Sequence, residues 1–279
     1  MVSANVNATH SQAPDLAAIK ARQQQTWASG DFDRVAATIT IVGELLCESV
    51  DVRPGHKVLD VATGSGNTAI AAARRFCHST GVDYVPALLD RGRERSAAER
   101  LQINFVEGDA ENIPFPDSSF DVVLSTFGSM FAPNQEKAAS ELLRVCKPGG
   151  KVGMANWTPD GFIGELFRVN GRHVPPPAGL KPPTLWGTEE RLRELFGAGM
   201  ASLAVKRRAF TFRYLSADHW IEFWRQYYGP TLKAFAALDD AGKEALAYDM
   251  RELVARFNRS GDKTMIVPSD YLEVVVVKK

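Results

Sequence analysis

The sequence predicts an α/β fold, a parallel sheet covered by helices on both faces. Two observations carry this. From Lys57 to Ala155, short apolar runs alternate with helical stretches, the pattern of strands joined by crossover helices. Within that region the apolar run Val58–Val61 feeds a glycine turn, Gly64-Ser65-Gly66, and a helix starts directly after it. The 279 residues, 45% of them hydrophobic, suffice for one large domain or a domain with an appended subdomain.

Residues 1–14 are polar, lack the apolar stretch of a secretory signal, and read as a frayed tail. Helical spacing predicts helices over Leu16–Trp27 and Val35–Val50, the second with Asp33 as its N-cap. Arg53-Pro54-Gly55 is a turn. Then come a strand at Lys57–Val61, a helix at Asn67–Phe76, a strand at Ser79–Val82 and a helix at Pro86–Ala97 with proline in its first turn. Strands at Ile103–Val106 and Asp121–Ser125 follow. A helix at Asn134–Val145 ends at Lys147-Pro148-Gly149-Gly150, and Lys151–Ala155 is the next strand.

Beyond Asn156 the composition shifts. Residues 157–186 contain Pro175-Pro176-Pro177 and Pro182-Pro183 and read as a lid or binding loop rather than a spacer. A short helix at Thr188–Phe196 and a strand at Leu203–Tyr214 come next. Ser216–Phe257 reads as two helices broken at Gly229-Pro230 and near Asp239-Asp240, and Tyr271–Val277 is a strand. The expected organisation is a ligand-binding half, 15–156, and a substrate half, 157–279, whose helices at 216–258 form a cap over the sheet's ligand edge.

Several function classes are disfavoured. Lys+Arg and Asp+Glu balance at 33 each, so no overall basic field invites nucleic acid or anionic lipid. Cys47, Cys77 and Cys146 are scattered, which argues against a disulfide framework or a cysteine-built zinc site. The five histidines form no metal set, so no metal is expected. Val274–Val277 is far too short to span a bilayer. A soluble, cytoplasmic protein is the expectation.

Chemistry concentrates at strand ends, where open α/β sheets bind ligands. Gly64 and Gly66 allow a ligand close to the backbone, and the following helix start offers amides to a carboxylate or phosphate. That glycine pattern alone also fits a dinucleotide fold. Asp60, four residues before the turn, would repel a pyrophosphate lying there and suits an ammonium or cationic group. Asp83, ending the second strand, can accept both hydroxyls of a ribose. Asp109, after the third, can accept from an adenine amino group. The end of the fourth, Ser125-Thr126-Phe127, would line the reacting centre.

Taken in order, VLDVATGSGN, GVDYVP, EGDAENIPF, FDVVLSTFGSMF and RVCKPGGKV resemble the class I S-adenosylmethionine-dependent methyltransferases, in particular the small-molecule branch related to ubiquinone-biosynthesis methyltransferases. The resemblance covers roughly Trp27 to Asn156. It implies a Rossmann-like, seven-stranded, mostly parallel sheet with a reversed final strand, the helical cap being inserted between the last two strands. It implies S-adenosyl-L-methionine as cofactor, with Asp60, Thr63, Gly64 and Gly66 around the methionine end. It implies ribose on Asp83 with Tyr84 beside the adenine, the base framed by Asp109, Ala110 and Glu111, and the sulfonium flanked by Ser125, Thr126 and Phe127. An N-terminal helix folds over the cofactor in that family. Trp27 and Phe32 would then close this side, although packing alone also accounts for them.

The substrate half is not inherited from the resemblance. Its candidate pocket residues are Met130, Phe131, Trp157, His173, Trp186, Trp220 and Trp224, an apolar and aromatic wall for a small acceptor. The aromatics of 220–228 equally suit packing of a cap helix, or a homodimer contact. No catalytic side chain is assigned; His173 and His219 are the histidines placed where a general base would sit. The expected activity is methyl transfer to an O, N or C nucleophile. The alternatives are an NAD(P)-dependent oxidoreductase and a non-catalytic S-adenosylmethionine-binding module.

Overall fold

The computed structural model describes residues 14–279, so the predicted tail lies almost entirely outside the described residues. The chain begins with α1 (Leu16–Trp27), α2 (Phe32–Ala36) and α3 (Thr40–Val50). It continues through β1 (Lys57–Val61), α4 (Asn67–Arg74), β2 (His78–Asp83), α5 (Pro86–Ala98), β3 (Ile103–Glu107), β4 (Phe120–Thr126) and α6 (Gln135–Val145). The remainder comprises β5 (Cys146–Trp157), α7 (Phe162–His173), α8 (Glu189–Phe196), β6 (Met200–Tyr214), α9 (Ala217–Tyr227), α10 (Gly229–Ala236), α11 (Asp240–Phe257) and β7 (Met265–Lys278).

The seven strands form one sheet in the order β3-β2-β1-β4-β5-β7-β6. Pairing is parallel from β3 through β5, while β7 runs antiparallel to both β5 and β6. The reversed final strand is therefore present, and α9–α11 are inserted before it. The order switches direction at β1, so β1 and β4 part company above the sheet and leave a crevice at their carboxyl ends.

Two elements differ from the sequence reading for identifiable reasons. The single helix expected over Val35–Val50 is two helices joined by a 3-10 turn at Ala37–Ile39. The β-branched run from Thr38 to Val42 resists a continuous helix, and Thr38 Oγ1 donates to the Val35 carbonyl at 2.8 Å, tightening the turn. Asp33 falls inside the first turn of α2 instead of capping it. Within 157–186, residues Phe162–His173 form a regular helix whose apolar face is buried, with a short turn before it and the longer irregular stretch on its C-terminal side.

One apolar core runs from Val35 to Val276 and joins both halves of the chain. On the opposite sheet face, Leu46, Cys47 and Val50 of α3 pack with Ala71 and Ala72 of α4 against Val58, Val122 and Leu124. All three cysteines are buried and free. Helix α1 stands apart, since Ile19 is its one buried residue. Among the described residues, no helix is long and apolar enough to cross a membrane.

Candidate functional site

A cavity opens at the carboxyl ends of β1, β2 and β4; the space between its walls, open solvent at the mouth included, is about 970 Å³. Its walls come from α1, α2, the tips of these strands, the loop after β3 and residues 131–133.

The glycine turn hangs from the end of β2. Thr63 N donates to the Val82 carbonyl (3.0 Å), Gly64 N to Asp83 Oδ2 (2.9 Å), and Gly66 N back to the Thr63 carbonyl (2.9 Å). Gly64 and Gly66 have φ of +55° and +87°, the left-handed region that glycine occupies at no steric cost. Ala62 and Phe127, with φ of +54° and +53°, do not have that freedom. Such strain costs on the order of 1–3 kcal/mol per residue and collects at functional sites. The two strained tips meet through Gly128, where an added Cβ would lie 2.7 Å from both the Cβ and the carbonyl oxygen of Ala62. Gly128→Ala is therefore expected to lower stability by about 1–3 kcal/mol, read as a shifted urea midpoint.

Asp60 and Asp83 are the buried charges of the site, at 1% and 5% exposure. Asp60 Oδ2 accepts from Thr63 Oγ1 (2.5 Å) and from Ala69 N in the first turn of α4 (3.1 Å). No cation pairs with Asp60 among the described residues. Burial pushes its carboxyl up to about 7, against the two hydrogen bonds and with a further contribution from Asp83. Asp83 accepts from Gly64 N on one oxygen and from Val85 N on the other (2.9 Å each), and burial raises it to about 6.

The loop after β3 is tied down by α1. Lys20 Nζ bridges Asp109 Oδ2 (2.6 Å) and Glu111 Oε2 (2.5 Å), and Gln24 Nε2 donates to the Tyr84 carbonyl (2.5 Å). Those bonds hold Lys20 protonated despite the opposing effect of burial. Trp27, one turn on, sits against Phe32, Phe131 and Tyr228 at centroid separations of 5.5, 5.0 and 5.6 Å. The cap grips this junction from behind, for Asp31 N donates to the Tyr227 carbonyl.

Of the residues singled out in the sequence, Asp60, Thr63, Gly64, Asp83, Tyr84, Asp109, Ala110, Thr126, Phe127 and Phe131 line the cavity. Others are placed elsewhere. Gly66 turns away beneath Phe105. Glu111 is absorbed by Lys20 and by Asn134 N (2.8 Å). Ser125, one residue from Thr126 and so on the other sheet face, ties β1 to the turn after β4 by donating to the Val61 carbonyl and accepting from Ser129 N.

Most members of the expected acceptor wall lie away from the cavity. Met130, Trp186, Trp220 and Trp224 are core residues, at 0%, 0%, 0% and 3% exposure, and none lines the cavity. Trp157 is buried behind Phe127, stacked on its ring at 3.8 Å. Trp220 and Trp224 are taken up by Phe162 of α7 and Phe212 of β6, and Trp186 by Phe196 of α8. His173 lies on α7, 2.9 Å from Asp249 of α11, and His219 Nδ1 accepts from Leu215 N beside the start of α9. Neither borders the cavity, and no residue of the expected lid does.

Lys20, Asn67 and Thr68 line the cavity but were not singled out in the sequence. For Lys20 there was a signal: Lys20, Gln24 and Trp27 stand at i, i+4 and i+7 and share a helix face.

The comparisons agree with this architecture. Residues 58–150 match the family model described as a methyltransferase domain. The chain is 38% identical over 221 residues to an uncharacterized protein of Mycobacterium tuberculosis, covering 78% of this chain and 81% of that one. It is 32% identical over 191 residues to the demethylmenaquinone methyltransferase of Thermus thermophilus, 63% of this chain and 87% of that one. The fold superposes on a putative methyltransferase from Bacillus halodurans with a TM-score of 0.60 at 22% identity, covering 84% and 96% of the two chains. The chain belongs to the class I S-adenosylmethionine-dependent methyltransferases, on the side related to those of quinone biosynthesis. It is an enzyme that transfers a methyl group from S-adenosylmethionine.

Proposed function

We propose that the acceptor is a small, uncharged, apolar or aromatic molecule, and that the cavity holds it and the cofactor together. The observation that carries this reading is the division of the cavity into two ends. At the tips of β1–β3 it is acidic, with Asp60, Asp83 and Asp109; after β4 it is lined by Phe127 and Phe131, with Trp27 packed on Phe131. Lys20 is the one Lys or Arg among the lining residues, and two carboxylates already engage it. A phosphate or carboxylate acceptor would meet no free cation there and would feel the surplus of acid.

The acidic end fits the cofactor. Asp60, buried without a cation, would take the ammonium group, and the free amides at the start of α4 its carboxylate. Asp83 would accept the ribose hydroxyls, Tyr84 would pack beside the adenine, and Asp109 would accept from its amino group. Thr126 and Phe127 would border the sulfonium. The cofactor supplies a methyl group already activated by its sulfonium. The protein's task is then alignment and exclusion of water, and holding reactants in near-attack geometry is worth roughly 7–11 kcal/mol. Among the described residues no histidine borders the cavity, so an acceptor that must lose a proton would rely on its own acidity.

Kinship to a demethylmenaquinone methyltransferase favours an aromatic acceptor without naming one. The balanced charge argues against nucleic acid, and three buried free thiols fit a reducing cytoplasm. Incubation with methyl-labelled S-adenosylmethionine and a panel of phenols, amines, quinones and carboxylates tests the reading. Label is expected in neutral aromatic acceptors; transfer confined to the carboxylates would overturn it.

A further inference from the structure

Strand β6 forms one edge of the sheet, and no other strand pairs with its outer side among the described residues. It runs for 15 residues, against about 5–6 for an ordinary strand. A bare edge of that length is a template for another strand, and soluble proteins shorten, cover or charge theirs. β6 carries four cations, Lys206, Arg207, Arg208 and Arg213, and no acid. Arg207 is engaged by Asp160 and Asp270, and Arg208 by Glu273.

The backbone groups that point outward can be identified from β7. From Ser202 to Tyr214 its register with β6 is unbroken. Ile266 N donates to Asn258 Oδ1 and the Ile266 carbonyl accepts from Arg259 N, while the Asp270 carbonyl accepts from Thr158 N. Ile266 and Asp270 therefore turn away from β6, and their partners, Arg213 and Ala209, turn the other way, off the sheet. Between these, Thr211 stands opposite Pro268, which has no N–H to offer. The alternation continues through Arg207 and Val205. Five residues thus present an N–H and a C=O each beyond the edge.

A second copy of β6, related by a twofold axis, can pair only in registers that set these outward residues against one another. Axes at Lys206, Arg207 or Arg208 bring a cation against itself, and an axis at Phe210 sets Arg207 against Arg213. Like charges directly opposite are destabilising. An axis at Thr211 shortens the ladder. An axis at Ala209 meets neither objection. Lys206 then faces Phe212 of the second copy, Arg207 faces Thr211, Arg208 faces Phe210 and Arg213 faces Val205. We propose that the chain forms a homodimer by antiparallel β6–β6 pairing about Ala209, with one sheet running through both copies. Five outward residues on each side give about ten hydrogen bonds, the usual number for an interface. The same register brings Leu215, 71% exposed in the single chain, against Leu203 of the second copy. No residue of β6 lines the cavity, so each copy keeps a site of its own.

Sedimentation equilibrium of the full chain across a wide concentration range tests this, and the wild type is expected at twice the chain mass. Ala209 is exposed, so Ala209→Lys should fold, with an unchanged far-UV circular dichroism spectrum. It sets two ammonium groups together on the axis and should weaken association by about tenfold or more. Ala209→Cys should form an intermolecular disulfide under mild oxidation. Its paired Cα atoms would lie about 5.5 Å apart, within the range a disulfide spans, and the three native cysteines are buried. Ala204→Cys should not cross-link, because its counterpart in the second copy lies ten positions along the ladder, about 33 Å away. A monomer at every concentration overturns the proposal and leaves the edge to a different chain. A dimer that tolerates Ala209→Lys, or that cross-links as well in Ala204→Cys as in Ala209→Cys, places the contact elsewhere and overturns it too.

Discussion

Replacing Asp60 by Asn is expected to weaken S-adenosylmethionine binding by about 2–4 kcal/mol, on the order of a hundredfold, while stabilising the cofactor-free protein above pH 7. Both effects have one origin. The Asp60 carboxylate is 1% exposed and has no cation beside it among the described residues, so it is costly in the empty site and valuable once an ammonium group arrives. An Asn carbonyl can still accept from Thr63 Oγ1 and Ala69 N, the two donors to Asp60 Oδ2. The local fold should therefore survive the change.

The pH dependence gives the sign. Burial raises the Asp60 carboxyl from its ordinary value of 3.8 to about 7, and Asp83 to about 6. The folded, cofactor-free protein therefore keeps protons that the unfolded chain has released. Its stability falls as pH rises from about 4 to about 7 and levels off above that. Binding of a cationic ligand runs the other way. It requires the ionised carboxylates, releases protons, and should tighten as pH rises through 6 to 7 before reaching a plateau. Asp60→Asn should flatten both profiles, leaving the smaller Asp83 contribution. Thermal melts and calorimetric titrations between pH 5 and 8.5, with and without cofactor, measure this. Equal affinities of variant and wild type at pH 8 would remove Asp60 from the site.

The parts of the site legible in the sequence are those set by local chemistry. An acid directly after a buried strand, or a glycine in a tight turn, announces its position wherever the rest of the chain goes, and Asp60, Asp83 and Gly64 do line the cavity. Ser125 was read together with Thr126, yet the two-residue period of a strand sends neighbours to opposite faces. That information was present and the residue types masked it. Lys20 and Gln24 are a different case. Their shared helix face was visible, but where α1 returns to the sheet is a tertiary fact. So is the fate of an aromatic stripe, because helical spacing reveals a face without saying what fills it.

Trp220 decides that last point experimentally. Its ring is fully buried, 5.2 Å from Phe162 and 5.5 Å from Trp224 by centroid. Trp220→Ala should therefore cost about 3–5 kcal/mol of stability, as large aromatic truncations in packed interiors do. The indole Nε1 has no hydrogen-bond partner among the described residues, so part of the ring's packing gain is already offset by a buried, unsatisfied donor. Trp220→Phe removes that donor, keeps most of the apolar contact, and should lose less than half as much. Urea unfolding measures both, and titration of the folded variants with S-adenosylhomocysteine should give the wild-type affinity. A residue walling the acceptor would behave in the opposite way, with stability nearly intact and acceptor KM raised in the alanine variant. That result would mean the cap helices open toward the cavity in solution, and the acceptor end would extend past Phe131 to include them.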